Sequence, residues 1–376
     1  MGLTADSLPV FPWDRLEPLK TQAAAHPAGL IDLSVGTPVD PVPEVMQEAL
    51  RTASDTPGYP AVAGTAELRQ AVVDHYARRR RVPDLPLEAV LPTIGSKEAV
   101  ALLPALLGFG SGDVVIHPTV AYPTYDVGAK LAGAATLLAD SPEDLAGRDI
   151  KGRVLVWLNS PSNPTGRVMS AGRLANWVSW ARQRGAIVAA DECYAGLAWE
   201  EPWASDGVPS LLDRRVTGGR LDGLVALYSL SKQSNAAGYR AAFLAGDPVL
   251  VDQMRQLRRH IGLMMPAPIQ AAMIAALADD AAVAAQRRTY QRRRLQLLAA
   301  LTGAGYLVEG SEAGLYLWFT TPGAQDGWRT VADLASLGIL AAPGEFYGTA
   351  GQAYCRMALT ASDAAVAEAA ARLAGA

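Results

Sequence analysis

The sequence is poor in cysteine, in histidine and in excess charge of one sign, and each shortage excludes a class of protein. The two cysteines, Cys193 and Cys355, are too few for a disulfide framework and are typical of a reducing compartment. The four histidines lie far apart, without the HxxxH or CxxC spacing of metal ligands, so we expect no metal site. The 33 Lys and Arg residues are balanced by 37 Asp and Glu residues, which argues against a nucleic-acid-binding protein.

Long apolar runs are also missing. The longest candidate for a membrane span, residues 99–109, contains Pro104 and is shorter than the ~18 apolar residues that a span needs. The N-terminus lacks the basic start and apolar centre of a secretory signal. Half of the 376 residues are hydrophobic and 19% are charged, a composition that can fill a large core. We therefore expect a cytoplasmic protein of about two or three domains, with no membrane partner.

The pattern of prolines and apolar residues divides the chain into three parts. Residues 1–45 contain seven prolines and predict an extended arm or loop. Short runs rich in Val, Ile and Leu follow, at 114–117, 153–158, 186–190 and 224–228. They alternate with helical patterns, as in a parallel sheet covered by helices on both faces. Beyond them, long helices (248–260 and 268–301) and short strands predict a smaller α+β domain. We therefore predict a large domain over 46–264, with 1–45 and 265–376 forming an N-terminal arm and a small domain.

Arginines are concentrated in three predicted helices. The run Arg78–Arg81 ends the predicted helix 65–81, and further groups lie within 255–259 and 287–294. Because cations are favourable at a helix C-terminus, we interpret the first run as a solvated helix end. We interpret the other two as solvated or subunit-interface faces rather than as RNA-binding surfaces.

Polar residues follow three of the predicted strands, at the edge where an open parallel sheet binds ligands. NSPSNPTG follows the strand 153–158, DECY follows 186–190, and SLSK follows 224–228, with Arg240 eight residues after the lysine. TIGSKE (93–98) places a glycine and free backbone amides at the start of a helix, which favours a phosphate group. A lysine amine, an aspartate for a pyridine nitrogen, donors for a ring oxygen and an arginine for a phosphate suit pyridoxal phosphate. GFGSG (108–112) follows a helix rather than a strand, which weakens a dehydrogenase interpretation.

These motifs resemble the fold type I pyridoxal-phosphate aminotransferases. The resemblance covers nearly the whole chain and includes SVGTPVDPVP (34–43), GYPAVAGTAELR (58–69), AYPTY (121–125) and CRMALT (355–360). It implies an α/β fold, with a mostly parallel seven-stranded sheet in the large domain and a smaller α+β domain. Two segments are most similar in sequence to the actinobacterial N-succinyldiaminopimelate aminotransferases, namely SLSKQSNAAGYRAAFLAGD and APGEFYG.

The resemblance also implies roles for the residues around the cofactor ring. Lys232 would be the Schiff-base lysine and the acid/base of the proton shift. Asp191 would pair with the pyridine nitrogen, and Asn163 and Tyr194 would bind the ring hydroxyl oxygen. Tyr122 would stack on the ring; a plain packing role is the alternative.

Further roles concern the phosphate, the substrate and a second subunit. The phosphate would be held by Ser96, Lys97, Ser229, Arg240 and, with a weaker match, Ser231. Tyr59 would reach the phosphate of the neighbouring subunit, which implies a homodimer with shared active sites. Arg356 would clamp the substrate α-carboxylate, assisted by the Gly36 amide and Asn163, since a planar guanidinium binds a carboxylate through two hydrogen bonds.

The implied reaction moves an amino group between two pairs of compounds, in diaminopimelate and lysine biosynthesis. One pair is glutamate and 2-oxoglutarate; the other is N-succinyl-LL-2,6-diaminopimelate and N-succinyl-2-amino-6-oxopimelate. Three alternatives stay open: an aminotransferase for aspartate or another amino acid, a pyridoxal-phosphate β-lyase, and a ligand-sensing domain of a transcription regulator. The last is disfavoured because no helix-turn-helix pattern precedes Gly36. We expect Lys97 to bind the distal carboxylate of the substrates; the alternative is a solvated lysine in the first helical turn.

Overall fold

The structure, a computed structural model, describes residues 8–375, which fold as helices around three sheets. The α-helices are α1 Glu17–Ala24, α2 Glu44–Thr52, α3 Ala66–Arg79, α4 Ser96–Leu106, α5 Thr124–Ala132, α6 Ala171–Arg184, α7 Trp203–Asp206, α8 Arg214–Thr217, α9 Leu230–Gln233, α10 Pro248–His260, α11 Ala267–Ala278, α12 Asp280–Gly303, α13 Gly327–Ser336 and α14 Asp363–Ala374. The strands are β1 Ile31–Asp32, β2 Val90–Ile94, β3 Val114–His117, β4 Ala135–Leu138, β5 Val154–Asn159, β6 Ile187–Asp191, β7 Leu224–Ser229, β8 Ala241–Gly246, β9 Leu307–Glu309, β10 Tyr316–Thr320, β11 Ile339–Leu340, β12 Ala342–Pro343 and β13 Tyr354–Ala358.

The largest sheet has seven strands in the order β2-β8-β7-β6-β5-β3-β4. Only β8 runs against its neighbours, so the predicted mostly parallel seven-stranded sheet is confirmed. Three of its strands were not predicted from the Val, Ile and Leu runs. β2 contains Pro92, β8 is rich in alanine and β4 is a largely exposed edge strand, so none shows the composition of a buried central strand.

Helices cover both faces of this sheet, and the strands are apolar on both sides for that reason. Along β5, Val156 and Leu158 pack into the core on one face, while Leu155 and Trp157 pack into the core on the other. Because successive side chains of a strand point to opposite faces, a strand buried on both faces reads as a continuous apolar run. All residues of β5, β6 and β7 are buried.

Two smaller sheets complete the fold. One is antiparallel, in the order β12-β13-β10-β9, and the other is the parallel pair β1-β11. They share a core that includes Leu33, Leu317 and Met357. In α11, Met273 and Leu277 belong instead to the core of the large sheet. The division into domains at 46–264 and 265–376 stays a prediction.

Two predictions about segments were wrong. The helix expected over 268–301 is broken at Asp279, where α11 and α12 meet at 77°, because the Asp279 side chain accepts a hydrogen bond from the Ala282 amide and starts a new helix. The arm was predicted over residues 1–45, of which residues 1–7 lie outside the described part of the structure. Its described part is not simply extended, since Pro12–Leu16 and α1 are helical. Their prolines lie in the first turn, where the missing N–H costs nothing. Among the described residues, no single helix is long and apolar enough to cross a membrane.

The interpretation of the arginine groups as solvated or interface faces is wrong for several members. Arg80 is 4% exposed and its guanidinium lies 2.6 Å from the Glu192 carboxylate. Arg258 is fully buried and pairs with Glu98. The buried arginines of α12 also bind acidic groups, namely Arg293 with Asp40 and Asp363, and Arg294 with Glu200. Helical spacing alone did not show these partners, which come from distant parts of the chain.

Candidate active site

The polar segments meet at the carboxyl ends of three adjacent strands. β5, β6 and β7 lie side by side and parallel, and Asn159 at the end of β5 is paired in register with Asp191 at the end of β6. The chain then continues from these strands to Asn163, Tyr194 and Lys232 respectively. Parallel strands deliver their following loops to the same edge of the sheet, so the strand order itself assembles these groups.

Lys232 lies in the short helix α9, directly after β7. The Ser229 hydroxyl oxygen accepts a hydrogen bond from the Ser231 amide and so starts this helix. The Lys232 amine donates a hydrogen bond to the Gly36 carbonyl oxygen. Burial lowers the pKa of Lys232, and the nearby Arg356 charge acts in the same direction. An amine with a lowered pKa is more readily neutral, as a nucleophile or proton acceptor must be.

Asp191 is a buried carboxylate, and no lysine, arginine or histidine within residues 8–375 forms an ion pair with it. Its oxygens accept hydrogen bonds from the Tyr125 hydroxyl and the Cys193 amide, both at 3.1 Å. Burial raises the pKa of Asp191. A buried carboxylate without a cation is costly, and a protonated pyridine nitrogen would supply one. Asp191 therefore fits pyridoxal phosphate.

Arg356, like Asp191, is a buried charge without an ion-pair partner among the described residues. It is 2% exposed and, within residues 8–375, no carboxylate pairs with it. Its Nη1 donates to the Asn163 Oδ1 at 3.0 Å and its Nη2 to the Ser34 carbonyl oxygen at 2.5 Å. Its buried Nε has no hydrogen-bond partner in the described part of the chain. A carboxylate would supply both the missing charge and the missing acceptor.

The predicted phosphate residues lie around one turn. Gly95 has a φ of +75°, and its amide donates to the Arg240 carbonyl oxygen at 2.7 Å. A Cβ at Gly95 would lie 2.0 Å from the Arg240 Nη2, so only glycine admits the guanidinium here. Ser96 begins α4, whose first amides are free to bind an anion. Next to this group, the buried Ser229 hydroxyl donates to the Ser231 hydroxyl at 2.8 Å.

Three predicted residues lie farther from these contacts. The Lys97 side chain is exposed, and its ammonium group lies 5.2 Å from the centre of the Phe11 ring. Tyr122 packs edge-on against Tyr125, and burial raises the pKa of Tyr122 to about 12. Tyr59 is 97% exposed, so a single chain does not bring it into the site.

The sequence analysis missed three residues that hold the predicted ones in place. Tyr125 donates to Asp191, and its presence in AYPTY, beside Tyr122, was the available signal. Asn159, the first residue of NSPSNPTG, accepts a hydrogen bond from the Asn163 amide at 2.7 Å. Tyr316 lies 3.2 Å from the Tyr194 hydroxyl and under the Arg356 guanidinium, and nothing in its local sequence indicated this.

Known proteins share both the sequence and the fold. The family model described as aminotransferase class I and II matches residues 28–373. The 4-dedimethylamino-4-oxo-anhydrotetracycline transaminase OxyQ of Streptomyces rimosus is 52% identical over 97% of this chain and 99% of its own length. A probable aminotransferase of Mycobacterium tuberculosis is also 52% identical, over 99% of this chain and 87% of its own. The structure of a probable N-succinyldiaminopimelate aminotransferase from Thermus thermophilus superposes with a TM-score of 0.87, at 28% identity, over 97% of this chain and all of that one.

The family assignment agrees with the two buried charges, Asp191 and Arg356, that have no ion-pair partner among residues 8–375. Aminotransferases of this class depend on pyridoxal phosphate, and the buried Asp191 carboxylate fits its protonated pyridine nitrogen. The chain belongs to the pyridoxal-phosphate-dependent aminotransferases of class I and II.

Proposed function

We propose that this aminotransferase interconverts N-succinyl-2-amino-6-oxopimelate and N-succinyl-LL-2,6-diaminopimelate, with glutamate and 2-oxoglutarate as the other pair. The observation that carries an α-amino acid substrate is Arg356, whose buried guanidinium has no carboxylate partner among residues 8–375. The succinylated substrate is supported by the sequence resemblance and by the similar fold of the probable N-succinyldiaminopimelate aminotransferase from Thermus thermophilus. The 52% identity to OxyQ favours a second candidate, a ketone of the anhydrotetracycline type.

We infer that Lys232, Asp191 and the phosphate-binding residues have separate roles in the reaction. Bound pyridoxal phosphate supplies a carbonyl that bonds to amines and a ring that accepts electrons. Lys232 would bond to the cofactor's carbonyl carbon; once the substrate amine has replaced it, the freed Lys232 amine would take the proton from the substrate Cα and deliver it to that cofactor carbon. Asp191 keeps a proton on the pyridine nitrogen, and the amides of Ser96 and Lys97, with Ser229 and Arg240, hold the phosphate. The same pocket serves both half-reactions, so we expect ping-pong kinetics.

Asn163 connects the two ends of the site. Its side-chain oxygen accepts the hydrogen bond from Arg356, and an amide has two donors on its nitrogen. With the oxygen turned to Arg356, the nitrogen is left to donate to the ring oxygen. The position of the carboxylate clamp is thereby tied to the position of the ring.

We propose that Lys97 binds the distal carboxylate, which both expected substrates carry. It is exposed beside the phosphate turn, where its backbone and its side chain can serve different groups. Lys97→Ala should lower kcat/KM for glutamate by a factor that corresponds to roughly 1.5–3 kcal/mol. It should leave kcat/KM for alanine nearly unchanged. Lys130→Ala is the control, because that exposed lysine pairs, within the described range 8–375, only with Asp126 one turn away. Equal losses for glutamate and alanine would mean that Lys97 serves the cofactor or the fold.

We propose that the enzyme is a homodimer with shared sites. The supporting observation is Tyr59, whose side chain is almost fully exposed in one chain, although the resemblance assigns it to a phosphate. Mixing Tyr59→Phe with Lys232→Ala after subunit dissociation should restore part of the activity, because one hybrid site regains both residues. Full activity of Tyr59→Phe by itself, or a monomer by light scattering, would contradict the shared site.

The substrate proposal is tested with purified holoenzyme and a panel of amino acceptors. The panel contains N-succinyl-2-amino-6-oxopimelate, the same compound without the succinyl group, oxaloacetate and 4-dedimethylamino-4-oxo-anhydrotetracycline, each with glutamate as donor. We expect the highest kcat/KM with the succinylated acceptor. The highest value with the tetracycline ketone would establish the second candidate. A separate incubation with cysteine tests for a β-lyase, which would release pyruvate.

A further inference from the structure

We propose that Tyr316 is a positioning residue with two separate tasks: its ring holds the Arg356 guanidinium, and its hydroxyl supports Tyr194. The proposal rests on the proposed function, in which Arg356 binds the substrate carboxylate and Tyr194 binds the cofactor ring oxygen. Neither the resemblance nor the comparisons assigned a role to Tyr316. Its contacts with both residues carry the inference.

The first task, holding the Arg356 guanidinium, follows from the pairing of β10 with β13. Tyr316 begins β10 and Arg356 lies on the neighbouring antiparallel strand β13, two residues away in register. On that pair of strands the Arg356 side chain crosses the face of the tyrosine ring, with its Cζ 3.9 Å from the ring centre. A guanidinium over an aromatic face is held by the ring's negative charge distribution, more strongly when both are buried. Tyr316 is 4% exposed, so water does not weaken this contact.

The ring also limits where the guanidinium can go. The two Arg356 Nη atoms donate to the Asn163 side chain and the Ser34 carbonyl oxygen, while the Tyr316 ring covers one face of the guanidinium. Among residues 8–375, the buried Nε on the remaining edge of the guanidinium has no acceptor. An arginine held on its face and on two nitrogens loses little further freedom when it binds a carboxylate, which favours tight binding.

The second task follows from the hydroxyl groups. The Tyr316 and Tyr194 hydroxyl oxygens are 3.2 Å apart, and both side chains are buried. A tyrosine hydroxyl carries a single proton but can also accept. If Tyr194 gives its proton to the ring oxygen, its own oxygen can only accept, and Tyr316 is the donor in reach. An accepted hydrogen bond strengthens the one that is donated, because the bonds in a chain polarise one another.

The electrostatics of the pair agree with a responsive Tyr316 hydroxyl. Burial opposes its ionisation, but the charges of Arg356 and Lys232 outweigh burial and lower the pKa of Tyr316. Burial raises the pKa of Tyr194 well above its usual value, and Tyr316 adds to this. The positive charges of Arg356 and Lys232 beside Tyr316 are consistent with Tyr316 as a donor in this pair.

The backbone at Gly36 leaves room for this hydroxyl. A Cβ at residue 36 would lie 2.3 Å from the Tyr316 hydroxyl oxygen and 2.9 Å from two ring atoms. The Gly36 carbonyl oxygen accepts from Lys232, so the segment cannot shift without disturbing the lysine. Glycine at this position is therefore required by Tyr316.

Two substitutions separate the two tasks. Tyr316→Phe keeps the ring and removes the hydroxyl, whereas Tyr316→Leu removes both. The control is Tyr347→Phe. The Tyr347 ring also faces Arg356, at 5.0 Å, but the buried Tyr347 hydroxyl has no hydrogen-bond partner among the residues that the structure describes. Two properties of the holoenzyme are measured. One is the dissociation constant of glutarate, a glutamate analogue without the amine; the other is the pH midpoint of the change in the cofactor's visible absorbance.

For Tyr316→Phe we expect the glutarate dissociation constant to stay within about twofold, while the absorbance midpoint moves upward. The midpoint rises because a weaker donor at the ring oxygen leaves more negative charge there to hold a proton. For Tyr316→Leu we expect the same shift and, in addition, glutarate binding weakened by about tenfold or more, since that factor corresponds to one contact of about 1.4 kcal/mol. Tyr347→Phe should change neither property.

Each task can fail separately. An unchanged absorbance midpoint in Tyr316→Phe would overturn the role of the hydroxyl. Equal glutarate binding by the Phe and Leu variants would overturn the role of the ring. Arg356→Lys tests the underlying assignment: glutarate binding that survives it would refute the carboxylate clamp itself, whatever Tyr316 does. If the Leu variant does not fold, Tyr316→Met takes its place, and the Phe variant still decides the role of the hydroxyl.

Discussion

The buried ion pair between Arg80 and Glu192 gives the most quantitative prediction about stability. Glu192 follows Asp191 directly, so the Arg80–Glu192 ion pair holds the chain at the end of β6. Both side chains are about 3% exposed or less, and the Nη2 and Oε2 atoms are 2.6 Å apart. The other Glu192 oxygen accepts from the Leu211 amide at 2.7 Å and the Ser210 hydroxyl at 3.1 Å.

The magnitude follows from opposing terms. At 2.6 Å and an effective dielectric constant of about 20, the attraction between the charges is about 6 kcal/mol. Removing two ions from water costs several kcal/mol for each, so the intact pair adds little net stability. Glu192→Gln removes the attraction but leaves the Arg80 charge buried. We expect it to lower the free energy of unfolding by about 3–5 kcal/mol.

The assay is urea unfolding of the holoenzyme, followed by tryptophan fluorescence. Glu44→Gln is the control: the Arg51–Glu44 pair has the same 2.6 Å distance, but its side chains are 55% and 74% exposed. That change should cost less than about 1 kcal/mol. The double variant Arg80→Met with Glu192→Leu should recover much of the loss, because no charge is left buried. A cost for Glu192→Gln as small as that of the control would refute the reasoning.

Three further predictions concern the cofactor and the response to acid. Borohydride reduction and peptide mapping should place the cofactor on Lys232, and Lys232→Ala should abolish turnover; label on another lysine would contradict the assignment. Gly95→Ala should weaken cofactor binding by about tenfold or more, because a Cβ would displace the Arg240 guanidinium. Gly133→Ala should not weaken cofactor binding, because Gly133 has a similar φ of +77° and no atom of residues 8–375 lies within 4 Å of the added Cβ. Equal losses in the two variants would point to backbone strain instead. Burial first, and then the arginine charges near it, lower the pKa of His75 to about 3. The unfolded chain binds this proton below about pH 6.5 and the folded chain does not, so His75 removes about 2 kcal/mol of stability by pH 5. His75→Phe should show a smaller loss between pH 7 and pH 5, and an unchanged pH dependence would contradict the burial argument.

Much of the fold follows from local sequence. The strands β3, β5, β6 and β7 lie within two residues of the predicted bounds, because strands buried on both faces are continuous apolar runs. The helix α10 was predicted with the bounds it has. The polar motifs that follow these strands needed only the rule that parallel strands end at one edge.

The contacts that complete the site come from tertiary structure. Arg356 and Asn163 are 193 positions apart, and Lys232 and Gly36 are 196 apart. Tyr316 looks like any apolar strand residue until the register of β10 on β13 places it under Arg356. Arg80 stands in a run of four arginines, and only the fold, which brings it to the Glu192 carboxylate, selects it for burial. Local sequence determines periodicity, caps and turns through contacts a few residues apart. Which distant side chains meet depends on strand order and register, which only the folded chain decides.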